Sequence, residues 1–321
     1  MLKYYAKQLV SAFLLVFAVV IVTFLMFELA PGDPIQSMVG KAPVTEEFRQ
    51  QLTQQYGLDR PFLERMFQYI LNMFSGNLGY SFANNRPVLE LIIERLGNTL
   101  ILTIPSLIIA GILGILIGSV AARTRSKLLD GTLSYFSVAA LSMPTFWLGL
   151  LLILVFSVNL GWLPSGGMNR YGQTGFSLAH IALPLIVLVV NELAFNARIM
   201  RSSMLEVLGQ DYIDTARSKG LSRTLIVRRH ATLNSMLPMV SVMGFSLGYT
   251  IAGAVITERV FSWPGMGLLL FDSIQKSENQ IVVGILVVTT VTVVVANLLT
   301  DIVYGLVDPR IRKRFRQEME A

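Results

Sequence analysis

The sequence predicts an all-α integral membrane protein with six transmembrane helices, an external helical segment after the first, and a cytoplasmic helical loop between the fourth and fifth. Three observations predict it. The 321 residues are 53% hydrophobic and only 14% charged, with mean hydropathy +0.61, which is more apolar than a soluble domain of this length. Apolar runs of about 20 residues recur, enough for a helix to cross ~30 Å of hydrocarbon with its backbone N–H and C=O groups bonded inside the segment. Lys and Arg gather in alternate connections, as they do when basic residues are retained on the cytoplasmic side.

The first run, Leu9–Leu29, follows Lys3 and Lys7, as the core of a signal peptide would. It is too long for one and lacks an A-x-A cleavage site, so residues 1–30 read as a short cytoplasmic segment and a retained first helix. Residues 31–97 form the external segment. It mixes polar residues with short amphipathic stretches such as Pro61–Phe74 and predicts a small helical cap on the bundle.

The membrane core occupies residues 98–309, with spans at Leu100–Ala122, Tyr135–Val158, Leu178–Ala197, Leu237–Ile256 and Ile281–Thr300. Pro105, Pro144 and Pro184 interrupt three of these and allow kinks. The loop at 198–236 is cytoplasmic, and 310–321 is a cytoplasmic tail.

Orientation follows from the basic residues. With the N-terminus inside, the inner set is Lys3, Lys7, Arg123, Arg125, Lys127, the basic residues from Arg201 to Arg229, and the cluster Arg310, Arg312, Lys313, Arg314 and Arg316. The outer set is smaller, so both termini are expected in the cytoplasm. The net charge of +6 therefore reflects topology rather than a nucleic-acid surface. Cysteine is absent, which excludes disulfides, a thiolate nucleophile and a cysteine metal site.

The inner loop carries the most informative stretch, Gly209 to Pro238. Asp211 and Asp214 in the first turns of a helix and Lys219 near its end suit the helix dipole, and Gly220 can take the left-handed conformation that ends it. A second short helix from Ser222 returns the chain to the membrane. The expected shape is a helix–Gly–helix elbow.

Enzyme motifs find no support. Gly244-Phe245-Ser246-Leu247-Gly248 matches G-x-S-x-G but lies in an apolar span, where it reads as a helix-packing face, as does Gly114 with Gly118. No H-E-x-x-H and no phosphate-cradling G-x-x-x-x-G-K-[ST] occurs, so neither catalytic residues nor a metal site are expected.

At this point the sequence resembles the transmembrane permeases of ABC importers, in the dipeptide/oligopeptide/nickel branch. Asp214-Thr215-Ala216 with Gly220 is similar to the EAA motif of that branch, departing from strict Glu-Ala-Ala in having Asp and Thr; His230, Asn234 and Pro238 match its continuation. The resemblance covers nearly the whole chain: Pro31-Gly32-Asp33-Pro34, Tyr56-Gly57-Leu58-Asp59, Gly79–Phe82, Ser142–Trp147, Leu163–Gly166, Phe261–Gly267 and Asp308-Pro309-Arg310 also resemble it.

The resemblance implies a bacterial inner-membrane pore subunit that pairs with a second homologous permease as a heterodimer. Two ATP-binding subunits inside would hold the ATP and Mg, so that this chain needs no cofactor, and an extracytoplasmic binding protein would deliver peptides or related solutes. It implies that a coupling helix built on Asp211, Tyr212, Asp214, Thr215, Ala216, Arg217 and Gly220 docks into the ATPase. The rival is an ion-coupled secondary transporter that works without an ATPase.

Two further sets stay open between function and packing. Asn191, Glu192 and Asn196 either line the pore or pack, since an intramembrane carboxylate must face protein or water. The stretch Glu258–Gly267, with Trp263, Pro264 and Gly265, is either a gate or receptor platform, bending at Pro264 with turns at Gly265 and Gly267, or a rigid turn between the last two spans.

Overall fold

The structure, a computed structural model, describes residues 2–29, 35, 44–57, 59–81, 83–124, 126–170, 172 and 175–307. Pro31–Pro34, Leu58, Phe82, Asp308–Arg310 and the basic tail lie outside the described residues. Among the described residues the regular elements are helices and one two-stranded antiparallel hairpin, β1 Tyr80–Ser81 and β2 Arg86–Pro87, with irregular backbone between them, the longest described stretch of it lying within 160–177. It divides into two compact units, Met1–Thr99 with Pro264–Val295, and Leu100–Trp263 with Ala296–Ala321.

The first unit begins with α1, Leu2–Leu29. The stretch expected as an external cap, residues 31–97, holds two unlike helices among its described residues before the long helix that begins at Val88. α2, Glu46–Tyr56, is polar; Thr45 caps it by accepting from the Phe48 N–H, and Glu46 and Glu47 occupy its first turn. α3, Phe62–Phe74, is amphipathic and lies antiparallel along α1: Phe62 and Tyr69 meet Phe24, while Phe74 meets Phe13 and Phe17. Val16 and Val20 of α1 share an apolar cluster with Tyr69, Ile70 and Met73 of α3 and with Val283 and Val287.

The two valines last named belong to the final helix, α13, Asn279–Val307, whose start is bound to the hairpin. Ser81 Oγ donates to Glu278 Oε2 at 2.6 Å, and the Tyr80 N–H donates to Gln280 Oε1. α12, Met266–Lys276, starts where the Met266 N–H donates to Thr99 Oγ1 and Asn98 donates to the Pro264 carbonyl.

The second unit is built on α4, Val88–Arg123, from Leu100 onward, and on α7, Leu178–Leu208. Gly114 and Gly118 form the expected packing face. A β-carbon at Gly118 would lie 2.7 Å from Met200 Cβ, and one at Gly114 would meet Asn196 Cβ at 2.5 Å, so only glycine lets the two backbones approach this closely. Gly244 likewise faces Thr300.

Four helices among the described residues are long and apolar enough to cross a membrane: Ala6–Met26, Val88–Arg123, Leu178–Leu208 and Asn279–Thr300. The expected span at Tyr135–Val158 is not one straight helix. α5, Lys127–Ser142, ends before Pro144, and the segment from Thr145 to Asn159, comprising α6 (Thr145–Leu152) and a wider π-helical stretch (Ile153–Asn159), leaves at 97° to it. Pro144 offers no N–H to the preceding turn and holds Met143 away from helical geometry, so the chain breaks there. Counted as one span, this bent pair makes five.

Pro105 and Pro184, by contrast, lie inside continuous helices. The region expected as the fifth span is helical as α10, Thr232–Gly253. It ends three residues earlier than expected, and α11, Val255–Val260, follows.

Candidate functional site

The expected elbow is present, with α8 at Asp211–Ser218. Asp211 and Asp214 occupy its first turn and Arg217 its last, each sign at the helix end that favours it. Gly220 has φ +76° with open space around it. Its N–H donates to the Arg217 carbonyl at 2.9 Å, and the Leu221 N–H to the Ala216 carbonyl at 3.3 Å, the paired bonds of a left-handed helix stop.

Leu221 then packs on Ile213, Ala216 and Ile226, with Ile213 wholly buried. The turn therefore has its own small apolar core. Ser222 caps the return limb, its Oγ accepting from the Leu225 N–H, and α9, Arg223–Leu225, runs through a π-helical stretch, Ile226–Ala231, into α10.

The docking residues expected in the loop divide by burial. Asp211, Tyr212, Asp214, Thr215, Arg217 and Gly220 are exposed, whereas Ala216 is buried and serves the core of the turn. Arg217 donates to Asp214 at 2.8 Å, and the Thr215 hydroxyl donates to the Asp211 carbonyl.

Two ties hold the elbow to the bundle. Asn234 Nδ2 donates to the Tyr212 hydroxyl at 3.0 Å, and Arg223 donates to the Arg123 carbonyl at 3.1 Å. Val227 and Ala231 are buried with Ala122, Met200, Met204 and Met239, so the return limb is fixed to α4, α7 and α10. Sequence reasoning missed Ile213, Leu221 and Ile226. The spacing of Ile213 and Ala216, three apart on one helical face, was the available signal.

Asn191, Glu192 and Asn196 all lie on α7, where Glu192 and Asn196 meet different neighbours. Glu192 is half-buried and accepts from Ser246 of α10 at 3.2 Å. Asn196 is 1% exposed and seated against Gly114.

At the other candidate site, Trp263 is entirely buried with Leu102, Ile181 and Leu188, and its backbone N–H donates to the Glu258 carbonyl at 2.8 Å. It offers no surface in this conformation. Gly265 lies at the bend before α12 with extended backbone, whereas Gly267 is helical, contrary to the expectation that it supplies a turn; the left-handed residue of the stretch is Ser262, φ +47°.

Residues 114–313 match the family described as "Binding-protein-dependent transport system inner membrane component", and residues 1–103 match the model for the N-terminal part of such membrane components. The di/tripeptide transport system permease protein DppB of Pseudomonas aeruginosa is 39% identical, with 97% of this chain and 99% of that protein covered. The glutathione transport system permease protein GsiC of Escherichia coli is 38% identical at the same coverage.

Among solved structures, an inward-facing form of the MetNI methionine ABC transporter matches with TM-score 0.53 at 18% identity, over 68% of this chain and 97% of that one, which supports the fold. Long apolar helices, a capped elbow after α7, and family matches over nearly its full length place the chain among the inner-membrane permease components of binding-protein-dependent ABC transport systems.

Proposed function

We propose that the chain forms half of an ATP-driven import pore for short peptides, completed by a homologous permease. Two ATPase subunits engage the elbow from the cytoplasm, and a binding protein delivers substrate from outside. The relatives named for di/tripeptides and for glutathione support a peptide substrate, and their shared chemistry is a short peptide. Both termini face the cytoplasm in this reading.

The observation that carries the proposal is the division of labour in the elbow. Ile213, Ala216, Leu221 and Ile226 make it rigid from within, while Asp211, Asp214, Thr215 and Arg217 present a polar outer face. A rigid element bound to several helices is what mechanical transmission requires, since no chemistry need occur in this chain. ATP binding would draw paired elbows together and open the pore outward, and hydrolysis would reset it. Of the polar residues on α7, the half-buried Asn191 and Glu192 are those this reading places beside the substrate path.

The test is peptide uptake and ATPase activity of the reconstituted complex carrying Gly220→Pro, matched for assembly. Proline can neither adopt φ +76° nor donate to the Arg217 carbonyl. The expected result is loss of uptake with the complex assembled. Gly220→Asn, which tolerates the left-handed region, should retain it. Uptake that persists in the proline variant and needs no ATP would overturn the proposal.

A further inference from the structure

We propose that α3, Phe62–Phe74, is not part of an aqueous external cap but a membrane-inserted helix whose outer face meets lipid acyl chains. Leu63, Phe67 and Leu71 recur every four residues and form one stripe, 70%, 63% and 53% exposed. Phe74 continues the stripe. A stripe of this length facing water would be costly for an otherwise water-facing helix.

The depth follows from the partner helix. Glu28 stands just beyond the apolar span Ala6–Met26 and binds Arg65 of α3 at 2.5 Å, which fixes the charged end of α3 at the end of that span. Phe74, at the other end, is stacked against Phe13 and Phe17. At 1.5 Å per residue, these lie roughly 16–22 Å along α1 from Glu28, between about half and three-quarters of a ~30 Å hydrocarbon layer. The outer stripe of α3 is thereby continuous with the exposed apolar flank of α1, where Val10, Phe13 and Leu14 face outward.

Charge is distributed to match. Arg60, Glu64 and Arg65 stand at the N-terminal end, with Arg60 paired to Glu64 at 2.9 Å, and no charged residue follows Arg65 in the helix. Such a gradient places the first turn among headgroups and the last in hydrocarbon.

The backbone beyond α3 supplies an independent observation. Non-helical backbone at membrane depth must find its hydrogen bonds within the protein. The N–H groups of Ser75, Gly76, Asn77 and Leu78 donate to the carbonyls of Leu71, Met73, Asn72 and Gly76. The next two amides donate to Asn77 Oδ1 and Gln280 Oε1. Every amide from 75 to 80 is thus bonded without water.

The chain contains no cysteine, so single cysteines at Leu63, Phe67 and Leu71, and at Glu47 of α2 as the aqueous control, can carry a nitroxide in the assembled transporter. The transporter is reconstituted in vesicles of phosphatidylethanolamine and phosphatidylglycerol. Relaxation by oxygen, which concentrates among acyl chains, is compared with relaxation by a water-soluble nickel chelate. Oxygen is expected to dominate at all three stripe positions, increasingly from Leu63 to Leu71, and nickel at Glu47.

Nickel access along the stripe equal to that at Glu47 overturns the proposal in favour of an aqueous cap. Shielding from both reagents overturns it in favour of a protein cover. Should a labelled variant fail to assemble, Phe67→Trp gives the same reading through the added quenching by brominated acyl chains. None of these outcomes depends on the transported substrate.

Discussion

Helices α3 and α8 are both short and amphipathic, and both stand outside the long spans, yet they leave opposite chemistry on their outer faces. α8 buries its apolar residues, Ile213 and Ala216, inside its own turn and presents carboxylates, hydroxyls and Arg217. α3 buries only part of its apolar surface, through Tyr69, Ile70 and Met73, and leaves Leu63, Phe67 and Leu71 outside. The comparison teaches that an amphipathic pattern does not name the medium an element faces. What names it is which residues remain once the local neighbours have been covered.

Four substitutions can break or sharpen this contrast. The largest effect is expected for Ile213→Ala, which empties the core of the turn and should destabilise the elbow by roughly 2–5 kcal/mol. The readout is thermal unfolding of the complex together with proteolysis between Gly209 and Ser222. An elbow as resistant as wild type would show that the turn does not depend on its own core.

Next comes Leu71→Lys. A cation on the deep end of α3 costs about 2.5–3.5 kcal/mol if it meets hydrocarbon and very little if it meets water. The yield of assembled, inserted complex measures it, and normal yield would place α3 in the same medium as α8.

Gly220→Ala should cost about 1–2 kcal/mol, because φ +76° is strained for any residue with a β-carbon although no atom lies within 4 Å of that position. Faster hydrogen exchange at the Leu221 amide would report it. The smallest effect on stability is expected for Arg217→Gln, since its pair with Asp214 is exposed and of the kind that contributes less than about 0.5 kcal/mol. Substrate-stimulated ATPase activity should nevertheless fall if this face docks the ATPase. A variant normal in both respects would remove Arg217 from the docking surface.

The elbow was legible in the sequence because its signals are local. The acidic first turn and a glycine where the helix must stop act within a few residues, and each is found where expected; the short helix expected from Ser222 begins at Arg223, with Ser222 as its cap. The long spans were legible for the same reason, as apolar length is a property of a single segment.

What was not legible depends on contacts between segments. Three prolines sit in similar apolar runs, yet only Pro144 marks a break between helices, and nothing near it in the chain distinguishes it from Pro105 and Pro184. The stretch around Trp263 reads equally as a gate or receptor platform and as a rigid turn between two spans. The burial of Trp263 comes from Leu102, Ile181 and Leu188, which are distant in sequence. The periodicity of Phe62–Phe74 shows an apolar face but carries no information about α1 lying alongside it.

The seating of Gly114 and Gly118 on α7 has a mechanical consequence. The contact falls near Ala197 and Met200, which divides the rod into unequal arms: at 1.5 Å per residue, about 16 Å toward the elbow and about 29 Å toward Leu178. Were α7 to rock on that contact, the far end would travel nearly double what the elbow end does, and the return limb, packed on α4 as well as α7, would have to shift with it. A bulkier residue at Gly118 would move the fulcrum as well as widen the gap, and so change the gearing of the lever.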